Sequence, residues 1–69
     1  MRYGVVIERA GDNFSAYVPD LPGCVSVGDE LEEVTANIHE AITLYLTQLR
    51  EDGRTIPKPT TVVTYEEVI

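Results

Sequence analysis

The sequence has one cysteine, one histidine and no tryptophan. A single cysteine excludes an internal disulfide, and Cys24 with His39 is too small a set for a structural zinc. No metal and no cofactor are expected. Basic residues are few as well: five Lys and Arg stand against twelve Asp and Glu, a formal net charge of -7. Phosphate backbones repel such a surface, so direct nucleic-acid binding is not expected and a basic protein is the better-matched partner. Long apolar runs are also missing. The stretch Met1 to Asp12 carries Arg2, Glu8 and Arg9 where a signal peptide would have an apolar core. No segment approaches the roughly 20 apolar residues that span a bilayer. With the lone cysteine, these absences predict a cytoplasmic protein that stays off the membrane.

At 69 residues the chain is read as one domain, 1–69, near the lower size limit for unaided folding. With neither disulfide nor metal, self-association is the common remaining support for a small core. A homo-oligomer, dimer or tetramer, is expected.

Tyr3, Val5 and Ile7 alternate along a first strand, with Gly4 and Val6 between them. Ala10 to Asn13, "AGDN", supplies the turn of a short hairpin. Phe14, Ala16 and Val18 mark a second strand, which Pro19 ends by removing a ladder donor. Cys24 to Val27 is a third, shorter strand, giving an antiparallel meander. Asp29 stands at a helix N-cap with Glu32 three residues on, the spacing of a capping box. Asp29, Glu30, Glu32 and Glu33 together favour the positive end of the helix dipole. Leu31, Val34, Ile38, Ala41, Ile42, Tyr45 and Leu49 then recur every three or four residues, an apolar stripe on a helix of about six turns. Leu46 flanks the stripe and Leu44 lies nearly opposite, exposed or at an oligomer contact. Asp52-Gly53 is a helix stop. Pro57 and Pro59 stiffen the linker, and "TTVVTYEEV", Thr60 to Val68, reads as a fourth strand.

The stretch "YVPDLPGCVSVGD", Tyr17 to Asp29, holds the residues that could carry function. Pro22-Gly23 suits a type II turn, because proline presets φ at the second position and glycine accepts a positive φ at the third. Pro19 keeps the approach extended. Leu21 is then either a plug beneath the corner or a knob for a partner. Cys24 and His39 could form a nucleophilic dyad if they meet in space, but a small strand cysteine is more often core. Glu8, Asp20 and Glu40 are the carboxylates that a magnesium-dependent nuclease would use, although each is equally explained as a strand-end, turn or solvated helix charge. "PGCVSVGD" lacks the glycine spacing and the lysine of a phosphate-binding loop.

The combination "VPDLPGC", a short strand, "GDELEEV", an "EAITLYL" helix and a proline-containing exit, "EDGRTIPKP", resembles the N-terminal domain of HicB-type antitoxins of HicA/HicB toxin–antitoxin pairs. The resemblance runs from about Tyr3 to Pro59. It implies an α+β, partial ribonuclease-H-like βββαβ fold: a three-stranded meander, one long helix on one face and a fourth strand beside the first, in sheet order 3-2-1-4. Such a crossover would be right-handed. The resemblance also implies a partner, a small basic HicA-type toxin that cleaves RNA and whose fold is like that of a double-stranded-RNA-binding domain. The antitoxin covers the toxin's active surface and is itself no enzyme. Full-length members usually continue into a DNA-binding domain, whereas this chain stops at Ile69, so operator binding is not expected of it. The residues expected at the toxin contact are Asp20, Leu21, Glu30, Glu33, Glu66 and Glu67. The other two functions in play are a residual metal-dependent nuclease and an orphan oligomer with an unknown ligand.

Overall fold

A computed structural model describes every residue from Met1 to Ile69. Three strands come first: β1 (Val6–Ala10), β2 (Asn13–Tyr17) and β3 (Val25–Gly28). They form one antiparallel sheet in the order β1-β2-β3. The helix α1 (Leu31–Glu51) follows and lies over β3 and β2, but not over β1.

The register explains which residues become core. Ile7 faces Ala16 and Ala16 faces Ser26, so these side chains share the helix side of the sheet. Val6 faces Tyr17 and Tyr17 faces Val25, and this set shares the opposite side with the Ser15–Val27 pair. Alternation therefore sends Ala16 and Val18 inward, where Leu21, Cys24, Val34 and Ile38 meet them in a core of six side chains. Tyr3, Val5, Ile7, Phe14, Ala41, Ile42, Tyr45 and Leu46 pack around it, half-buried. Most of the expected stripe is thus on the packed side. Leu31 is exposed, and Leu46 joins the packed face in its place. Leu44 is exposed as well.

Helix and sheet approach each other closely at Gly28. A Cβ built there would stand 2.6 Å from the Val34 backbone nitrogen and 2.9 Å from its Cα, so only glycine admits the helix at this depth. The close approach also shifts the helix start. β3 runs through Gly28, one residue beyond the expected Val27, and the N-cap is Glu30 rather than Asp29. Glu30 is extended (φ -119°, ψ 154°) and makes no side-chain cap bond. The expected Asp29–Glu32 box is replaced by a bond one residue along, in which the Asp29 amide donates to Glu33 Oε1 at 2.6 Å. The helix end is as expected. Gly53 (φ 67°) donates to the Arg50 carbonyl and Arg54 donates to that of Leu49, the two bonds of a Schellman motif.

The expected fourth strand does not form. From Arg54 to Ile69 there is no regular structure, although Thr61 and Val63 run beside Gly4. Two donors that a ladder would need are already in use, because the amides of Thr60 and Thr61 both donate to the Asp20 carboxylate at 3.1 Å. The first strand is also shorter than expected at its start, beginning at Val6 instead of Tyr3. Val18 turns its N–H to the Cys24 carbonyl on the β3 side, so the next residue after Tyr17 in line to face β1 is Pro19, beyond the end of β2 and without an N–H. Residues 3–5 therefore have no strand to pair with.

Candidate functional site

The corner between β2 and β3 consists of two successive β-turns. Leu21 donates its N–H to the Val18 carbonyl, and Cys24 donates to that of Leu21, both at 3.0 Å. Val18 then closes the loop on the Cys24 carbonyl at 3.1 Å. Gly23 has φ 83° after Pro22, as the expected type II turn requires. The turns aim Leu21 into the core, where it is 0% exposed. Leu21 is the plug, and its place as a toxin-contacting residue is corrected: a side chain without accessible surface reaches no partner. From the helix, the Tyr45 hydroxyl donates to the Pro22 carbonyl at 2.9 Å and ties the outside of the corner to α1.

Asp20 points the other way. Its carboxylate accepts from the Thr60 amide, the Thr60 hydroxyl at 2.9 Å and the Thr61 amide. The Thr61 amide does most to hold this carboxyl below its ordinary value; the two Thr60 donors add to it, and partial loss of water opposes them. Asp20 is therefore an anchor for the C-terminal segment. Tyr3 provides a second anchor, its hydroxyl donating to the Pro57 carbonyl.

The acidic residues fall into separate groups. Gly28 pairs with Phe14 across the sheet, so the start of α1 and the hairpin turn at Gly11-Asp12 lie at the same end of the molecule. Asp12, Asp29, Glu30, Glu32 and Glu33 are all exposed at that end. The Asp20 corner is at the opposite end of the sheet. Glu66 and Glu67 are exposed beyond Thr61 on the anchored segment. The six residues expected at one toxin contact are thus an acidic pole (Glu30, Glu33), a buried plug (Leu21), an anchor (Asp20) and a solvated tail (Glu66, Glu67).

Neither enzymatic arrangement is assembled. Cys24 is buried and free, and burial pushes its thiol pKa up, away from the thiolate that a nucleophile needs. His39 is exposed on α1, so the two do not form a dyad. Glu8 lies on the sheet face without the helix, Glu40 is exposed on α1, and no three His, Cys, Asp or Glu side chains are grouped to hold a metal. No helix is long and apolar enough to cross a membrane.

Two features have little mark in the sequence. Asn37 donates from Nδ2 to the Val27 carbonyl at 2.9 Å, and its only signal was a polar residue beside the stripe. The other is an open apolar groove of about 490 Å³ between the residues leading into β1 and the helix, lined by Tyr3, Val5, Ile7, Ile38, Ile42 and Leu46, with His39 and Arg50 on its walls.

Comparison with known proteins gives a consistent picture. The family described as "HicB_like antitoxin of bacterial toxin-antitoxin system" matches residues 3–68. The chain is 38% identical over 65 residues to a 14.9 kDa protein in the rep-hol intergenic region of Haemophilus phage HP1, covering 94% of this chain and 49% of the phage protein. It is 34% identical over 61 residues to Antitoxin HicB 2 of Photorhabdus laumondii, covering 88% of this chain and 44% of that one. The chain thus spans about half the length of these two relatives. Among solved structures, a chain of a HicA3 and HicB3 toxin-antitoxin complex superposes with a TM-score of 0.74 at 27% identity, over 87% of this chain and 70% of that chain.

Proposed function

The chain belongs to the HicB-like antitoxin family, and on that premise we propose that it binds a small, basic HicA-type ribonuclease toxin and covers the toxin's active surface. The observation that carries the reading is the fold shared with a chain of a HicA3–HicB3 complex. The acidic pole is the surface best suited to the contact. Its carboxylates are exposed, and the pole of a chain with net charge -7 attracts a basic partner before contact. Glu30 and Glu33 lead it, while Glu66 and Glu67 form a second, separate acidic surface. In this reading the protein works in the cytoplasm by occupying its partner, catalyses nothing and does not itself bind nucleic acid. It acts as a homo-oligomer, since six core side chains are few for an independent domain.

The test uses a purified basic HicA-type protein. A complex should form at low salt, and its association rate should fall as salt rises. Replacing both pole residues, Glu30→Lys with Glu33→Lys, should slow association by roughly tenfold and change the dissociation rate less. Absence of any complex at low salt overturns the reading for that partner.

A further inference from the structure

The end of the chain is apolar and uncovered. Val62 is 86% exposed, Tyr65 91% and Val68 85%, in a run of β-branched and aromatic residues that would ordinarily pack. Val63, Tyr65, Glu67 and Ile69 occupy alternate positions along this segment. The same molecule carries an unfilled counterpart. Because α1 covers β2 and β3 but not β1, the groove between Ile7 and the helix residues Ile38 and Ile42 has apolar walls and nothing between them. Its volume, about 490 Å³, is in the range of side-chain and ligand pockets.

Charge identifies the occupant. The groove's one cationic side chain is Arg50, in a protein of net charge -7, and no carboxylate lines it. The tail's charges are Glu66 and Glu67. Tail and groove are therefore complementary in both apolar and ionic character. Asp20 fixes the root of the tail at Thr60 and Thr61, and Thr61 to Val63 lie beside Arg2 and Gly4, so the residues past Val63 project away from their own core.

We propose that the segment Val62–Ile69 of one copy seats in the β1–α1 groove of a second copy, with Tyr65 and Ile69 between the walls and Glu66 or Glu67 toward Arg50. Each copy offers one tail and one groove, so the exchange can be reciprocal and close as a symmetric dimer. This rests on the self-association proposed above and adds its surface; it does not depend on the toxin.

Two measurements test it. Sedimentation equilibrium of the unaltered chain and of Tyr65→Asp should show an oligomer that dissociates at least about tenfold more readily in the variant. Their melting temperatures should match at concentrations where both are monomeric, because Tyr65 has no intramolecular packing to lose. In the second, Ile42→Cys and Tyr65→Cys chains, each also carrying Cys24→Ala, are mixed and oxidised. The disulfide-linked heterodimer should exceed either homodimer several-fold. A monomeric unaltered chain overturns the proposal together with the expectation of self-association. An oligomer that persists in Tyr65→Asp, or an oxidised mixture without heterodimer excess, overturns the tail exchange alone.

Discussion

The corner at Val18–Cys24 and the segment at Thr60–Ile69 invite comparison. Both lack regular structure, both are rich in proline or β-branched residues, and each is tied down by three main hydrogen bonds. In the corner the three bonds are all backbone to backbone, and Leu21 behind them is wholly buried among Ala16, Val18, Val34 and Ile38. In the segment all three bonds converge on one carboxylate, and the apolar residues that follow are open to water. Hydrogen bonds of similar length therefore serve different ends. Those of the corner orient a side chain whose burial stabilises the fold, whereas those of the segment only fix a root. The net worth of a hydrogen bond is about 0.5–1.5 kcal/mol, but burying a leucine adds about 1.5–3 kcal/mol more.

The comparison is broken most severely by Leu21→Ala. It should cost about 2–5 kcal/mol, read as a fall in melting temperature of about 4–8 °C per kcal/mol for a domain of this size. A loss below about 1 kcal/mol would mean that the corner is not seated as described. Next comes Gly28→Ala, which drives a methyl group into the Val34 backbone and should destabilise by about 1–3 kcal/mol. Tyr45→Phe removes only the hydroxyl bond to Pro22 at a solvent-facing site, and about 1 kcal/mol or less should be lost in a denaturant titration.

Asp20→Asn should have the smallest effect on the melting temperature and the most localised signal. The NMR amide resonances of Thr60 and Thr61 should move while those of Val18 and Cys24, which close the corner, stay fixed. Acid should act in the same way. Because the Asp20 carboxyl is held below its ordinary value of 3.8, its contribution is fully present above that value. The contribution is lost as pH falls through the lowered, folded-state pKa. A shift of the Val18 and Cys24 resonances together with those of the segment in that window would show that the two are not independent.

The sequence is readable where a local rule and a tertiary need coincide. Pro22-Gly23 determines a type II turn by itself, and the turn's direction buries Leu21. Asp52-Gly53 closes the helix by backbone geometry alone. The stripe from Val34 to Tyr45 finds the sheet because only one helix face is apolar. Readability fails where a residue has two uses. "TTVVTYEEV" has the composition of a strand, yet Asp20, some forty residues earlier in the chain, takes the amides of Thr60 and Thr61. Asp20 itself reads as a partner residue because a charged corner usually faces water, and nothing local marks it as an internal acceptor. Leu21 fits either role by its local sequence, and its complete burial decides between them. The groove was the least visible feature, since an unfilled space depends on where the helix does not go.

One bond from the N-terminal half of α1 bears on the open edge of the sheet. β3 is an edge strand of four residues, and Val25 and Val27 stand exposed on its open face. Such an edge can recruit strands from neighbouring molecules without limit. Asn37 places its amide on the Val27 carbonyl, an acceptor that an incoming strand would otherwise use. The helix thus fills one of the outward acceptors of that edge with a side chain of its own.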